Sequence, residues 1–203
     1  KNRDYNDIFM FDIDTDKSLL DEYTKECDFV FHLAGVNRPE NQEEFIEGNY
    51  GFTSTLLDLL KKHMNKAPIM ISSSIQAKLE NPYGRSKKAG EDLLLSYSKE
   101  TDAKVLVYRF PNVFGKWSKP NYNSAVATFC HNIAHDMPIQ ISDPDVVMNL
   151  VYIDDVVDEL IKALSGNENK NGDYCEVSTV HTVKLGLIVE LIKSFKESRK
   201  ILA

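Results

Sequence analysis

Three short apolar runs, Phe29-Val30-Phe31-His32-Leu33-Ala34, Ile69-Met70-Ile71 and Val105-Leu106-Val107-Tyr108, alternate with stretches whose apolar residues recur at helical spacing. The runs are continuously apolar rather than alternating, the pattern of strands covered on both faces. Gly51 to His63, with Leu56, Leu57, Leu59 and Leu60, and Tyr83 to Lys99 have the length and spacing of helices. Ile8-Phe9-Met10-Phe11 reads as an earlier strand, and Asp16 to Glu26 as a helix with Leu19, Leu20 and Tyr23 facing inward. Such a β-α-β-α-β train predicts an α/β fold, a parallel sheet with helices on both faces.

After Arg109 the texture changes. Phe110 to Asn123 holds Pro111, Gly115 and Pro120 and is too long for a plain connector, which makes it a candidate binding loop. A helix is expected from Ser124 to His135, then short strands near Ile139-Gln140-Ile141 and from Leu150 to Ile153. Asp154 or Asp155 is expected to cap a helix running to Leu164. Ser165 to Asp173 reads as a polar surface loop. Val183 to Ser198 reads as a last helix with Leu187, Ile188, Leu191 and Ile192 inward. At 203 residues the chain is long enough for one well-buried domain with a small appended lobe.

The net charge of −7 argues against a polyanionic partner, because phosphate contacts need a concentrated basic surface. Nucleic acid is therefore not the expected partner. No apolar run approaches the roughly 18 residues that span a bilayer, and the charged N-terminus has no signal-peptide core. No membrane association and a cytoplasmic location are expected. Cys27, Cys130 and Cys175 form no CxxC pair and read as reduced, core or partly buried thiols. His131 and His135 have metal-capable helical spacing but no evident third ligand, so no metal is expected. His32, inside an apolar run, reads as a satisfied buried histidine.

One constellation carries chemistry. Ser72-Ser73-Ser74 closes the second apolar run, and nine residues beyond Ser74 comes Tyr83-Gly84-Arg85-Ser86-Lys87, introduced by the helix-start signal Asn81-Pro82. Tyr83 and Lys87, four apart, project from one face of the helix, where a serine at a strand end can meet them. An ammonium beside a phenol favours phenolate and is expected to pull the tyrosine pKa down towards working pH. Tyr-x-x-x-Lys alone is a weak signal. With the strand-end serine and with His32-Leu33-Ala34-Gly35 closing the earlier run, the set is strong.

From about Ile8 to Phe195 the sequence resembles the extended short-chain dehydrogenase/reductase family, also called the NAD-dependent epimerase/dehydratase family. The resemblance implies a Rossmann-like doubly wound sheet with a small C-terminal substrate-binding lobe, a nicotinamide cofactor and a nucleotide-sugar substrate. By that resemblance Tyr83 is the acid/base, Lys87 its partner and a ribose ligand, and Ser74 the hydroxyl that orients the carbonyl. It also implies cofactor contacts from Leu33, Ala34, Gly35, Asn37, Ser72 and Phe110, and substrate contacts from Asn49, Asn112, Asn123 and Arg38. Asp12 is open between an adenine or ribose contact and a solvated strand end.

The departures from the family pattern are informative. None of the nine glycines forms the Gly-rich turn that receives a pyrophosphate at a helix N-terminus, and the chain begins at Lys1. A first βα unit of about 30 residues is expected upstream; the alternative is a fold that never had one. Ile75-Gln76 follow Ser74 where the family's 4,6-dehydratases carry an acidic pair, which disfavours elimination. Val147-Met148-Asn149-Leu150 lacks the arginine with which sugar-nucleotide epimerases grip the diphosphate, leaving Arg38, Lys116 and Lys119 as loop candidates.

The strings His32 to Pro39, Ser72 to Gln76, Asn81 to Gly84, Asn112 to Trp117 and Pro120 to Ser124 are most similar to the reductase half of the bifunctional capsular-polysaccharide enzymes on the route to UDP-N-acetyl-L-fucosamine. This resemblance implies NADPH-dependent reduction of a UDP-linked 4-keto-6-deoxy amino sugar to the UDP-2-acetamido-2,6-dideoxy-L-talose. NADH is possible in place of NADPH, a homodimer is expected, and the family's C-terminal cupin domain is absent from the sequence. A redox-neutral UDP-sugar 4-epimerase is the first alternative and a non-enzymatic dinucleotide-sensing module the second.

Overall fold

The structure, a computed structural model, describes residues 7–201 apart from Arg38, Glu40 and Gln42. It divides into two compact units, Lys1–Arg109 and Phe110–Ala203.

The first unit opens with α1 (Lys17–Glu26), capped by Asp16, whose carboxylate accepts from the Ser18 amide at 2.9 Å. β1 (Val30–His32) runs parallel to β2 (Ile69–Ser74), with Val30 opposite Ile69 and His32 opposite Ile71. β3 (Val105–Phe110) lies on the other side of β2. The crossover from β1 to β2 consists of α2 (Glu43–Ile46), one π-helical turn (Glu47–Gly51) and α3 (Phe52–Lys62). The crossover from β2 to β3 consists of a 3-10 turn (Ile75–Lys78) and α4 (Pro82–Thr101). Leu56, Leu57 and Leu60 of α3 are buried, as are Ile69, Met70 and Ile71 of β2 and Leu106 and Val107 of β3. This is the Rossmann-like α/β arrangement that the apolar runs and helix spacing predict.

Ile8 to Phe11 is not a strand. The rings of Phe9 and Tyr23 stack at 4.7 Å, and those of Phe11 and Phe52 at 5.7 Å. The segment is thus held by aromatic packing on α1 and α3, not by ladder hydrogen bonds. Ile8 and Met10 are exposed.

The second unit contains β4 (Asn112–Phe114), α5 (Ala125–Ala134), β5 (Val147–Tyr152), α6 (Ile153–Leu164), β6 (Lys170–Asn171), β7 (Tyr174–Cys175), β8 (His181–Lys184) and α7 (Leu185–Ile201). β4 pairs with β5 in parallel and β8 pairs with β5 antiparallel. One cluster packs Phe129, Ile133, Leu150, Ile188 and Val189; a second packs Val151, Val156 and Val177, with Phe110 against it.

Here the sequence reading needs several corrections. The expected binding loop begins with a strand, β4. Ile139-Gln140-Ile141 forms none, because Ile139 and Ile141 pack against the Phe129 cluster as an irregular segment after Pro138. Ser165 to Asp173 contributes one arm of the β6–β7 hairpin. Asp154 and Asp155 lie in the first turn of α6 rather than capping it, where they favour the positive end of the helix dipole. On α7 the inward face is Ile188 and Val189, with Leu187 and Leu191 exposed. Of the thiols, Cys175 is buried, Cys27 half-buried and Cys130 exposed. No helix among the described residues is long and apolar enough to cross a membrane.

The start of α4 is tightly determined. Pro82 occupies its first turn and the Asn81 side chain accepts from the Gly84 amide at 2.7 Å. A Cβ on Gly84 would fall 2.3 Å from the Gln76 carbonyl oxygen and 2.4 Å from that of Leu79. Backbone carbonyls in a hydrogen-bonded turn cannot step aside as a flexible side chain can. Gly84→Ala is expected to destabilise the fold by about 1–3 kcal/mol, measured by urea unfolding; a wild-type midpoint would contradict this packing.

Candidate active site

β2 carries Ser72, Ser73 and Ser74 at its C-terminal end, and α4 brings Tyr83 and Lys87 back over it within its first two turns. Ser74 ends the strand and its hydroxyl accepts from the Gln76 amide at 3.2 Å, so it also caps the 3-10 turn. The same hydroxyl faces the Tyr83 phenol and acts to lower its pKa. Lys87 is 7 % exposed; its ammonium donates to the Ser72 carbonyl at 3.2 Å and lies 6.0 Å from the centroid of the Tyr83 ring. The three expected groups therefore converge.

Their electrostatics differ from the simple sequence expectation. Burial pushes the Tyr83 phenol above its ordinary pKa, opposed by the Ser74 hydrogen bond. Lys87 does not pull it down, since its ammonium is directed at a backbone carbonyl. Burial also pushes Lys87 below the usual lysine value, and the charge of Glu91 works in the opposite direction. Both shifts follow from loss of solvation of the charged form.

The segment after β1 forms one wall of the site. Leu33, Ala34, Gly35 and Asn37 are exposed, leaving backbone open to solvent. A Cβ on Gly35 would sit 2.7 Å from the Lys87 ammonium nitrogen and 2.8 Å from Asn49 Oδ1. This bare backbone is a cradle beside the ammonium, of a shape that suits a ribose approaching Lys87. The described residues thus fit the nicotinamide end of a dinucleotide. The chain shows no Gly-rich turn for its pyrophosphate.

Asn49, 4 % exposed, holds this wall in place. Its Oδ1 accepts from the Val36 amide at 3.0 Å, and its Nδ2 donates to the Val36 carbonyl at 3.2 Å and to Ser86 Oγ at 3.0 Å. The side chain expected to meet substrate is thus engaged by the chain itself. It is positioned by the π-helical turn, a distortion frequent at functional sites. Thr53 Oγ1 donates to the Asn49 carbonyl at 2.6 Å and lies 2.7 Å from His32 Nε2. Because that carbonyl can only accept, the single Thr53 proton points to it, and His32 must donate through Nε2. His32 is thus the neutral Nε2–H tautomer, with its pKa pushed down to about 4 by burial first and by Lys87 second.

Glu91 and Arg109 were not singled out by the sequence reading. Glu91 is 0 % exposed; it accepts from Ser73 Oγ at 2.5 Å and from the Arg109 guanidinium at 2.9 Å on Oε1 and 2.6 Å on Oε2. The available signal was spacing: Tyr83, Lys87 and Glu91 stand at successive intervals of four on one helix face.

The other expected contacts are placed as follows. Ser72 presents its carbonyl to Lys87. Asp12 sits in an exposed turn, where its carboxylate accepts from the Ile13 amide at 2.7 Å, so it is not at a strand end. In the second unit Phe110 packs on the Val151 cluster, Asn112 donates to the Asn149 carbonyl at 3.4 Å, and Asn123 is exposed. Lys116 is paired with Asp154 at 2.6 Å, and Lys119 is exposed. Arg38 lies outside the described residues.

A Rossmann-like α/β chain whose strand-end serine meets a Tyr-x-x-x-Lys helix defines a class of nicotinamide-dependent proteins. The chain belongs to the NAD dependent epimerase/dehydratase family, whose model matches residues 2–177. It is 45% identical over 183 residues to the UDP-2-acetamido-2,6-beta-L-arabino-hexul-4-ose reductase of Pseudomonas aeruginosa, covering 90% of this chain and 49% of that protein. It is 27% identical to UDP-glucuronate 4-epimerase 1 of Arabidopsis thaliana, over 70% of this chain and 38% of that protein. Among solved structures, the capsular polysaccharide assembling protein CapF of Staphylococcus aureus matches with a TM-score of 0.83 and 46% identity, over 92% of this chain and 50% of CapF. The UDP-glucuronic acid 4-epimerase of Bacillus cereus in complex with NAD matches with a TM-score of 0.78 at 22% identity, over 91% of this chain and 64% of that one; this shows a shared fold. The chain spans about half the length of the Pseudomonas aeruginosa reductase and of CapF.

Two outcomes follow from the geometry. In Gly35→Ala the new methyl would crowd both the end of Lys87 and Oδ1 of the buried Asn49, which accepts from the Val36 amide, so stability and any activity that needs the ammonium in place are both expected to fall. A wild-type urea midpoint together with wild-type activity would contradict these contacts. For His32, the folded pKa of about 4 lies below the ordinary 6.5. From pH 6.5 downwards the unfolded chain binds a proton that the folded chain refuses until about pH 4, so stability falls across that window. The loss is on the order of 3 kcal/mol from this group. Urea unfolding at a series of pH values should show a flatter profile in His32→Gln; an unchanged slope between pH 6.5 and 4 would contradict the buried neutral tautomer.

Proposed function

We propose that the chain is the reductase portion of a capsular-polysaccharide enzyme, reducing the 4-keto group of a UDP-linked 6-deoxy amino sugar with NADPH in the cytoplasm. The observation that carries the reading is the convergence of Ser74, Tyr83 and Lys87. The likeness to a named hexulose reductase and to CapF supports the substrate class. The proposal includes a homodimer.

A bound nicotinamide cofactor supplies the hydride in this chemistry. The chain's own residues handle the oxygen. Ser74 donates a hydrogen bond to the substrate carbonyl and fixes it beside the phenol. Tyr83, kept protonated by burial, delivers its proton to that oxygen as the carbon is reduced. The phenol holds its proton at neutral pH, and transfer becomes favourable only as negative charge develops on the substrate oxygen. Lys87, held by the Ser72 carbonyl, meets the cofactor ribose beside Gly35. Ile75 and Gln76 carry no acidic group for elimination, which favours reduction over dehydration.

In the intact protein Tyr83→Phe is expected to lower kcat by about 10²-fold or more while leaving UDP-sugar affinity near wild type. Near-normal turnover in that variant would overturn the reading. Steady-state NADPH consumption in step with product is expected. Turnover without net NADPH oxidation would indicate the redox-neutral 4-epimerase instead.

A further inference from the structure

Beneath the three site residues lies a charged group that the mechanism above leaves unused. Glu91 stands one helical turn beyond Lys87 on the same face of α4 and has no exposed surface. Its two oxygens accept three hydrogen bonds, from Ser73 on β2 and from Nε and Nη2 of the Arg109 guanidinium on β3. Ser73 lies between the residue whose carbonyl holds Lys87 and the residue whose hydroxyl meets Tyr83.

We propose that Glu91 is a positioning residue that acts through Lys87 and Ser74, tying the serine strand end to α4 while placing a fixed negative charge one turn behind the buried ammonium. The inference rests on the reductase reading for its catalytic meaning. The placement itself stands on geometry.

Two alternatives can be weighed against it. A carboxylate retained only to satisfy Arg109 needs no particular place along α4. This one is at the single i+4 position that also faces Lys87. A carboxylate acting as a proton donor needs access to solvent or substrate, and Glu91 has none.

The remaining groups around Lys87 cannot substitute for it. On β1, His32 is neutral and pushed down further by Lys87 itself. On β3, Arg109 is of the same sign as the lysine. On β2 the nearby groups are the neutral Ser72 and Ser74, and on α4 itself Tyr83 is protonated, while Lys88 and Asp92 pair with each other at the exposed face. From the π-helical turn and α2, Glu47 and Glu43 are exposed and Glu44 accepts from Asn41. From the 3-10 turn Lys78 is exposed. From α3 the facing group is Thr53; Lys61 pairs with Asp58 and Glu100, and Lys62 with Asp21. Glu91 is thus the fully buried carboxylate among these groups. It is also the charge that opposes the loss of solvation at Lys87.

The test reads Lys87 directly and needs neither substrate nor cofactor. Its side-chain Cε resonance, identified by its loss in Lys87→Met, is titrated by NMR in the otherwise unmodified chain and in variants of the buried pair. Glu91→Gln keeps the shape and an acceptor for Ser73 but removes the charge; it should lower the Lys87 pKa by about one unit or more, the scale of two charges one helical turn apart inside a protein. Arg109→Lys keeps the charge and loses the fork, and should leave that pKa close to wild type while lowering the unfolding midpoint. If Glu91→Gln does not fold, the neutral double variant Glu91→Gln/Arg109→Gln is titrated instead, with a smaller shift in the same direction. A Lys87 pKa unchanged or raised in Glu91→Gln, or in the double variant where that stands in, overturns the proposal and leaves Glu91 a purely structural ion pair. Failure of the reductase reading would appear separately, as wild-type protein that does not oxidise NADPH with a 4-keto UDP-sugar.

Discussion

Lys87 is largely buried, so that its ammonium loses much of its solvation, and much of the first unit is arranged around that fact. Three kinds of compensation are visible. The Ser72 carbonyl accepts a hydrogen bond from it, the carboxylate of Glu91 lies on the same helix face, and Gly35 leaves the space it occupies. Each comes from a different part of the unit, so that β2, α4 and the segment after β1 must all be in register for the lysine to be in place. An isolated buried charge is costly by several kcal/mol, and without such partners it would neutralise or the site would rearrange. The demands of the chemistry are thus also constraints on the fold.

The same logic extends to the polar groups behind the site. Asn49 clips the segment after β1 to the start of α4 through Val36 and Ser86, and Thr53 links that clip to His32. Every member has a partner whose donor or acceptor character is fixed by the next. Buried networks satisfied in this way rigidify their surroundings, whereas a partly satisfied one would be a liability. The π-helical turn is the backbone adjustment that brings Asn49 to the position where it reaches both sides.

Legibility in the sequence followed the range of the interaction. The parallel sheet of the first unit was readable because continuous apolar runs and helical stripes are local signals, as were Asn81-Pro82 at the start of α4 and the Tyr83/Lys87 spacing. Ile8 to Phe11 misled because an apolar run does not reveal whether a neighbouring strand will pair with it; Phe9 and Phe11 found aromatic partners instead. In the second unit β4, the β6–β7 hairpin and β8 are short strands defined by pairing with distant residues, which composition does not encode. The Glu91–Arg109 pair went unread for a related reason. A charged residue on a helix is ordinarily solvated, and only the approach of β3 shows that this one is not.

The central claim is that the Ser74, Tyr83 and Lys87 group serves net reduction of a sugar carbonyl. It is tested most directly by supplying the intact protein with a 4-keto UDP-sugar and NADPH deuterated at both C4 positions, then reading the product by mass spectrometry and NMR. The account predicts one deuterium on the former carbonyl carbon for each NADPH oxidised. Product that carries no deuterium, or an inverted sugar formed without loss of NADPH, would contradict it.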